Sequence, residues 1–150
     1  MKRFRFSLQS VHNLRLTLRE CAERELAEKE CAVAEAIERL ADIQRKQAEA
    51  TRAYTELMRT GEPKAHEIAI CAAYIARLEQ QEREARARLA QLERERDLAR
   101  QKVIEAAQAA ETTEKLRERQ YAQHRSEVLR LEQQLLDEIA TLSVARQLTR

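Results

Sequence analysis

The sequence predicts an all-α protein, a long two-helix antiparallel coiled-coil hairpin whose C-terminal helix is the longer of the two. Three observations predict it. Ala, Glu, Lys, Leu and Arg make up 94 of the 150 residues, well above the ~50% that marks long helices when the period agrees. Turn formers are almost missing, with one Gly, one Pro, one Asn and three Asp. Sandwiches, barrels and α/β folds each need many turns, so they are excluded. Finally, apolar residues recur at alternating steps of three and four, the spacing of a coiled-coil seam.

The elements follow in order. The chain opens on Phe4, Phe6 and Leu8 alternating with Arg3, Arg5 and Ser7, a period suited to a short extended arm that caps the base of the hairpin. A first helix is expected over about 8–59. Its seam reads 11, 14, 18, 22, 26, 29, 33, 36, 40, 43, 47, 50, 54 and 57, apolar except at Lys29 and Gln47. One extra step of four near Ala22 reads as a stutter in the supercoil. The only strong punctuation, Thr60-Gly61-Glu62-Pro63, places the turn at about 60–64. Gly61 suits a left-handed helix end, and Pro63 suits the first turn of the next helix. The second helix is expected over about 65–146. Its seam runs from Ile68 to Ala110, blurs up to Tyr121, and resumes as His124, Val128, Leu131, Leu135, Ile139 and Leu142.

Residues 1–150 thus form a single hairpin domain in which residue i faces about 126 − i. At about 1.5 Å rise per residue the paired part is a rod of roughly 80 Å. Both chain ends gather at one tip, and about 25–30 residues of the second helix overhang there, as the length difference between 52- and 82-residue helices requires.

Composition also bears on chemistry. Alanine supplies 25 of the hydrophobic residues, and Leu, Ile, Val and Phe together only 32. That lines a narrow seam but does not fill a globular core with a catalytic cleft, so no enzyme, cofactor or small-molecule substrate is expected. Net charge is +2, which supplies no global field for nucleic acid or membrane. The charge is nonetheless uneven. Lys2, Arg3, Arg5, Arg15 and Arg19 stand without an acid in residues 1–19, while residues 20–38 carry seven Glu against Arg24 and Lys29. Residues 115–130 are basic again. Two phenylalanines at the basic start are too few aromatics for nucleic-acid binding, and docking onto an acidic protein surface is the better expectation.

Cys21, Cys31 and Cys71 form no Cys-x-x-Cys pair and read as reduced small residues on helix faces. His12, His66 and His124 are isolated and make no metal-binding spacing. The basic start is followed by no apolar stretch of signal-peptide length, and no window is apolar enough for a membrane span. Tyr54 fills the seam near the turn, whereas Tyr74 falls off it beside Ile75, which makes Tyr74 a candidate contact residue.

The opening Phe4-Arg5-Phe6-Ser7-Leu8-Gln9-Ser10-Val11, followed by Asn13-Leu14-Arg15, resembles the start of the FliJ family of the bacterial flagellar type III export apparatus. Tyr74-Ile75-Ala76-Arg77-Leu78-Glu79 and Leu136-Asp137-Glu138-Ile139-Ala140 resemble two further family motifs. His12 stands where such sequences more often carry an apolar residue. The resemblance implies a cytoplasmic stalk, peripheral to the membrane at the export apparatus. Such a stalk is a monomeric hairpin when free, and its joined ends enter the hexameric export ATPase and promote ring assembly. It also touches the cytoplasmic domain of the export gate and handles export chaperones. Phe4, Arg5, Phe6, Leu8, Val11, Arg15, Leu136, Asp137 and Glu138 would form the ATPase-docking end. Tyr54, Tyr74 and Leu78 would form the gate contact. A generic coiled-coil scaffold, which would associate as a parallel dimer or a four-helix assembly, and the equivalent injectisome stalk are the competing readings.

Overall fold

Two helices carry nearly all of the chain in a computed structural model, which describes residues 3–148. Helix α1 is Gln9–Thr60, of 52 residues, and helix α2 is Ala65–Leu148, of 84. No strand occurs among the described residues. The two helices pack against each other as a helical hairpin, and they do so in two compact units. The central unit is Cys21–Ile104. The terminal unit combines the residues before 21 with those after 104.

In the central unit Val33 and Ile43 of α1 and Leu78, Leu92 and Ala99 of α2 are the buried core. Every expected seam position of α1 from Ala22 to Leu57 is buried or half-buried. The register holds as well, for Gln44 donates to Glu82 at 3.0 Å, where the hairpin assigns residue 82 to position 44. Lys29 and Glu95 meet at 2.7 Å, and Lys102 and Glu25 at 2.9 Å. Residue numbers fall on α2 as they rise on α1, so the pairing is antiparallel. The acidic run of α1 lies against the basic stretch of α2 around Arg100 and Lys102, which favours this register over slipped ones.

The connection, residues 61–64, differs from expectation. No described glycine has a positive φ, so Gly61 is not a left-handed helix end. Pro63 disfavours helical backbone at the residue before it, which helps to end α1 ahead of the connection. Pro63 also stands before α2 and not in its first turn. Lys64 takes the cap position, with its amide donating to Glu67 Oε2 at 3.1 Å and its carbonyl accepting from the amides of Glu67 and Ile68. This is the reciprocal half of a capping box, with an acid placed favourably at a helix N-terminus.

In the terminal unit the seam runs differently from the expected one. Val11, Leu14 and Leu18 are exposed, while His12 is buried and Arg15 half-buried. Arg15 stands one heptad before Ala22, and His12 two heptads before Leu26. The seven-residue phase therefore continues without the stutter. On α2 the same phase passes through Thr113, Arg117, Gln120 and His124, all buried or half-buried, so there is no blurred stretch either. Both corrections have one cause. His12, Arg15, Thr113 and Arg117 occupy the seam here with polar partners, and a search for apolar residues follows the wrong face.

Candidate functional site

The terminal unit is built outward from the N-terminal arm. Phe4 lies edge-on to Tyr121, with ring centres 5.3 Å apart, and to His124 at 5.6 Å. Phe6 is buried, whereas Arg3 and Arg5 face solvent. The alternation of the arm thus pins one side on α2 and presents cations on the other. At Leu8 the alternation ends, because the amide of His12 donates to the Leu8 carbonyl at 2.9 Å and begins α1.

Next along α1, His12 is only 3% exposed. Its Nδ1 lies 3.0 Å from Thr113 Oγ1, and its Nε2 3.0 Å from Glu114 Oε2. The Thr113 hydroxyl also donates to the Ala110 carbonyl at 2.8 Å. Arg117 joins the second oxygen of Glu114 at 2.9 Å. Arg15 Nη1 donates to the Ala109 carbonyl at 2.9 Å. No buried side-chain nitrogen or oxygen among the described residues lacks a partner, so this polar stretch of seam is fully satisfied.

Beyond the arm α2 continues as a single helix. Leu129, Leu131, Leu135, Leu136, Ile139, Leu142 and Val144 are all exposed. Asp137 and Glu138 are exposed with them, and Gln133 donates to Asp137 at 3.0 Å. The expected docking residues therefore fall into two groups. Phe4, Leu8, Val11 and Arg15 lie beside α2 between Ala109 and His124, Phe6 is buried in the same arm, and Arg5 faces solvent. Leu136, Asp137 and Glu138 are not brought to them; they stand about 18 Å further along the helix at ~1.5 Å per residue.

Of the expected gate residues in the central unit, Tyr74 is exposed at 48%, Tyr54 is half-buried, and Leu78 is buried at 3%. Ile70, one turn before Tyr74 on the same helix face, is 65% exposed and escaped the sequence reading. Its signal was the i, i+4 spacing to Tyr74. Leu129 and Val144 were missed in the same way, because they lie off the predicted seam.

No group of His, Cys, Asp or Glu among the described residues is arranged to hold a metal. The three cysteines are free. Among the described residues no helix is long and apolar enough to cross a membrane.

The chain is thus an all-helical hairpin with an aromatic N-terminal arm against its second helix and an exposed apolar helix end. The family model of the flagellar FliJ protein matches residues 4–149, and the chain belongs to that family. It is accordingly a structural component of the flagellar export apparatus. No curated protein and no solved structure matches the chain.

Proposed function

We propose that this chain is the stalk of the export apparatus. Its terminal unit enters the hexameric export ATPase and promotes ring assembly. Its central unit touches the cytoplasmic domain of the export gate, with Tyr74 as the contact, Leu78 supporting it from inside the seam and Tyr54 a neighbour near the turn. The chain also handles free export chaperones, and it works in the cytoplasm at the inner face of the membrane through the apparatus alone.

One observation carries the docking reading. Between Leu131 and Val144 the exposed apolar residues of α2 spread over roughly 220° of the helix circumference at ~100° per residue. A single neighbouring helix covers a far narrower stripe. A helix apolar over so wide an arc is suited to being enclosed on several sides, as inside a ring. The outward cations Arg3 and Arg5 would steer that end toward a pore lined with carboxylates.

Capture of the cognate ATPase by the full chain tests this. Leu135→Ser combined with Ile139→Ser should abolish capture while leaving helicity intact, since both residues are exposed. Undiminished capture would overturn the docking reading.

A further inference from the structure

The terminal unit inverts the usual arrangement of a two-helix coil. His12 and Thr113 are buried in its seam, while Leu8, Val11 and Leu18 stay exposed. Leu8 and Val11 are not scattered. Together with Leu116 of α2 they floor a groove between the two helices, rimmed by Arg15, Lys115 and Arg119. Leu18 stands one heptad beyond Val11 and extends the same wall. No carboxylate among the described residues lines the groove. Lys115 shares its charge with Glu111 at 2.6 Å, and Arg15 gives one N–H to the Ala109 carbonyl, so the rim keeps a net positive charge.

We propose that this groove docks an amphipathic helix of another protein, with Leu or Ile on its inner face and Asp or Glu along its flanks. Shape and charge together fix that occupant. The walls are the ridges 8, 11, 15 of α1 and 112, 116, 119 of α2. Their steps of three and four run along the helix axes and receive a third helix in the manner of a coiled coil. From Leu8 to Leu18 the α1 wall is about 15 Å long at ~1.5 Å per residue, room for nearly three turns. A helix satisfies its own backbone, whereas an extended chain would set unpaired N–H and C=O groups against the apolar floor. Cations stand on both walls, so carboxylates are wanted on both flanks of the guest. An anionic membrane surface would match the charge but not the shape, since a flat surface meets the rim and misses the half-buried Leu116.

This goes beyond the stalk reading, which rests on the apolar end of α2 between Leu131 and Val144, and does not depend on it. Leu116 and Leu131 are roughly 22 Å apart along α2 at ~1.5 Å per residue. The groove is therefore a separate surface, and its occupant can be tested without the ATPase.

Two designed peptides serve as probes, each stapled as a three-turn helix with leucine at i, i+3 and i+7. One carries Glu at the flanking positions and the other Lys. Fluorescence anisotropy with the full chain should show the Glu peptide binding about tenfold or more tighter than the Lys peptide at low salt, and added salt should narrow the difference. Lys115→Glu with Arg119→Glu should reverse the preference, and Val11→Ser should weaken both peptides. Circular dichroism separates a folding defect from a lost contact. If the reversed variant unfolds, Val11→Glu, at an exposed residue, should still reject the Glu peptide. Leu135→Ser with Ile139→Ser, which tests the stalk reading, should leave both affinities unchanged, so the two readings fail separately. Equal binding of the two peptides, or binding indifferent to the groove changes, overturns the proposal. So does failure of either peptide to bind while phosphatidylglycerol vesicles, or a second copy of the chain in sedimentation, associate through Lys115 and Arg119.

Discussion

His12 Nε2 and Glu114 Oε2 lie 3.0 Å apart, and the other oxygen of the same carboxylate holds Arg117, so a buried imidazole is tied to a cation of the opposite helix's seam. This polar cluster replaces the apolar layer expected at the base of a hairpin. It is also why Val11, Leu14 and Leu18 are left outside.

The cluster makes an asymmetric prediction. His12→Ala leaves a void at a buried position and removes the imidazole from Thr113 and Glu114, and should cost about 1–3 kcal/mol. His12→Leu restores apolar filling, while the Thr113 hydroxyl keeps its bond to Ala110 and Glu114 keeps Arg117 and water. Its melting temperature should equal or exceed the wild type. Thermal melts followed by circular dichroism compare the two; a leucine variant as unstable as the alanine one would show that the cluster itself holds the base together.

Gly61 offers a second test. Its φ is not positive, and a Cβ there would meet nothing within 4 Å. Gly61→Ala should therefore be neutral or stabilising by about 0.5 kcal/mol, through a less flexible unfolded chain. A loss of 1 kcal/mol or more, as expected at a left-handed position, would contradict the observed connection.

The Lys29–Glu95 pair predicts a pH dependence. Their mutual hydrogen bond, and then their mutual charge, raise the Lys29 pKa and lower that of Glu95. A depressed carboxylate adds stability that is complete above its unfolded value near ~4.3 and is lost as pH falls through the lower folded value. A raised lysine adds stability that is complete below ~10.4 and is lost as pH rises through the higher folded value. Glu95→Gln should thus melt lower than wild type at neutral pH, and the difference should vanish in acid. A constant difference from neutral pH down to strong acid would show that the charge is not what matters.

Burial separates Leu78 from Tyr74 in the proposed gate contact. Leu78→Ala should cost about 2–5 kcal/mol as a core truncation, whereas Tyr74→Ala and Ile70→Ala should leave stability within about 0.5 kcal/mol. Only the exposed pair can therefore report on the gate. Tyr74→Ala with Ile70→Ala should reduce binding of the gate's cytoplasmic domain with an unchanged melt; full binding by this variant would move the contact elsewhere.

The arm yields a local prediction. Phe6→Ala should free residues 3–8 from α2 and speed tryptic cleavage after Arg5, with little effect on the central unit. Equal cleavage of both proteins would mean that the arm is held by other contacts.

What could be read from residues alone was what repeats along the chain. Helix type, the break near residue 61 and the seam from Ala22 to Leu57 follow from composition and period, because apolar side chains at heptad spacing leave a helix one face to bury. The register followed too, since a short connection dictates which residues oppose. The base of the hairpin was not legible, and its reason is specific. Whether His12, Thr113 and Arg117 are inside depends on acceptors that sit about a hundred residues away in sequence, and a polar residue looks the same in a sequence whether it is solvated or satisfied by a partner. Leu78 and Tyr74 were separable by period, since Leu78 lies on the seam and Tyr74 off it, and the structure buries the first and exposes the second. At the base of the hairpin period was no guide, and only the opposing helix decided which polar side chains lie inside.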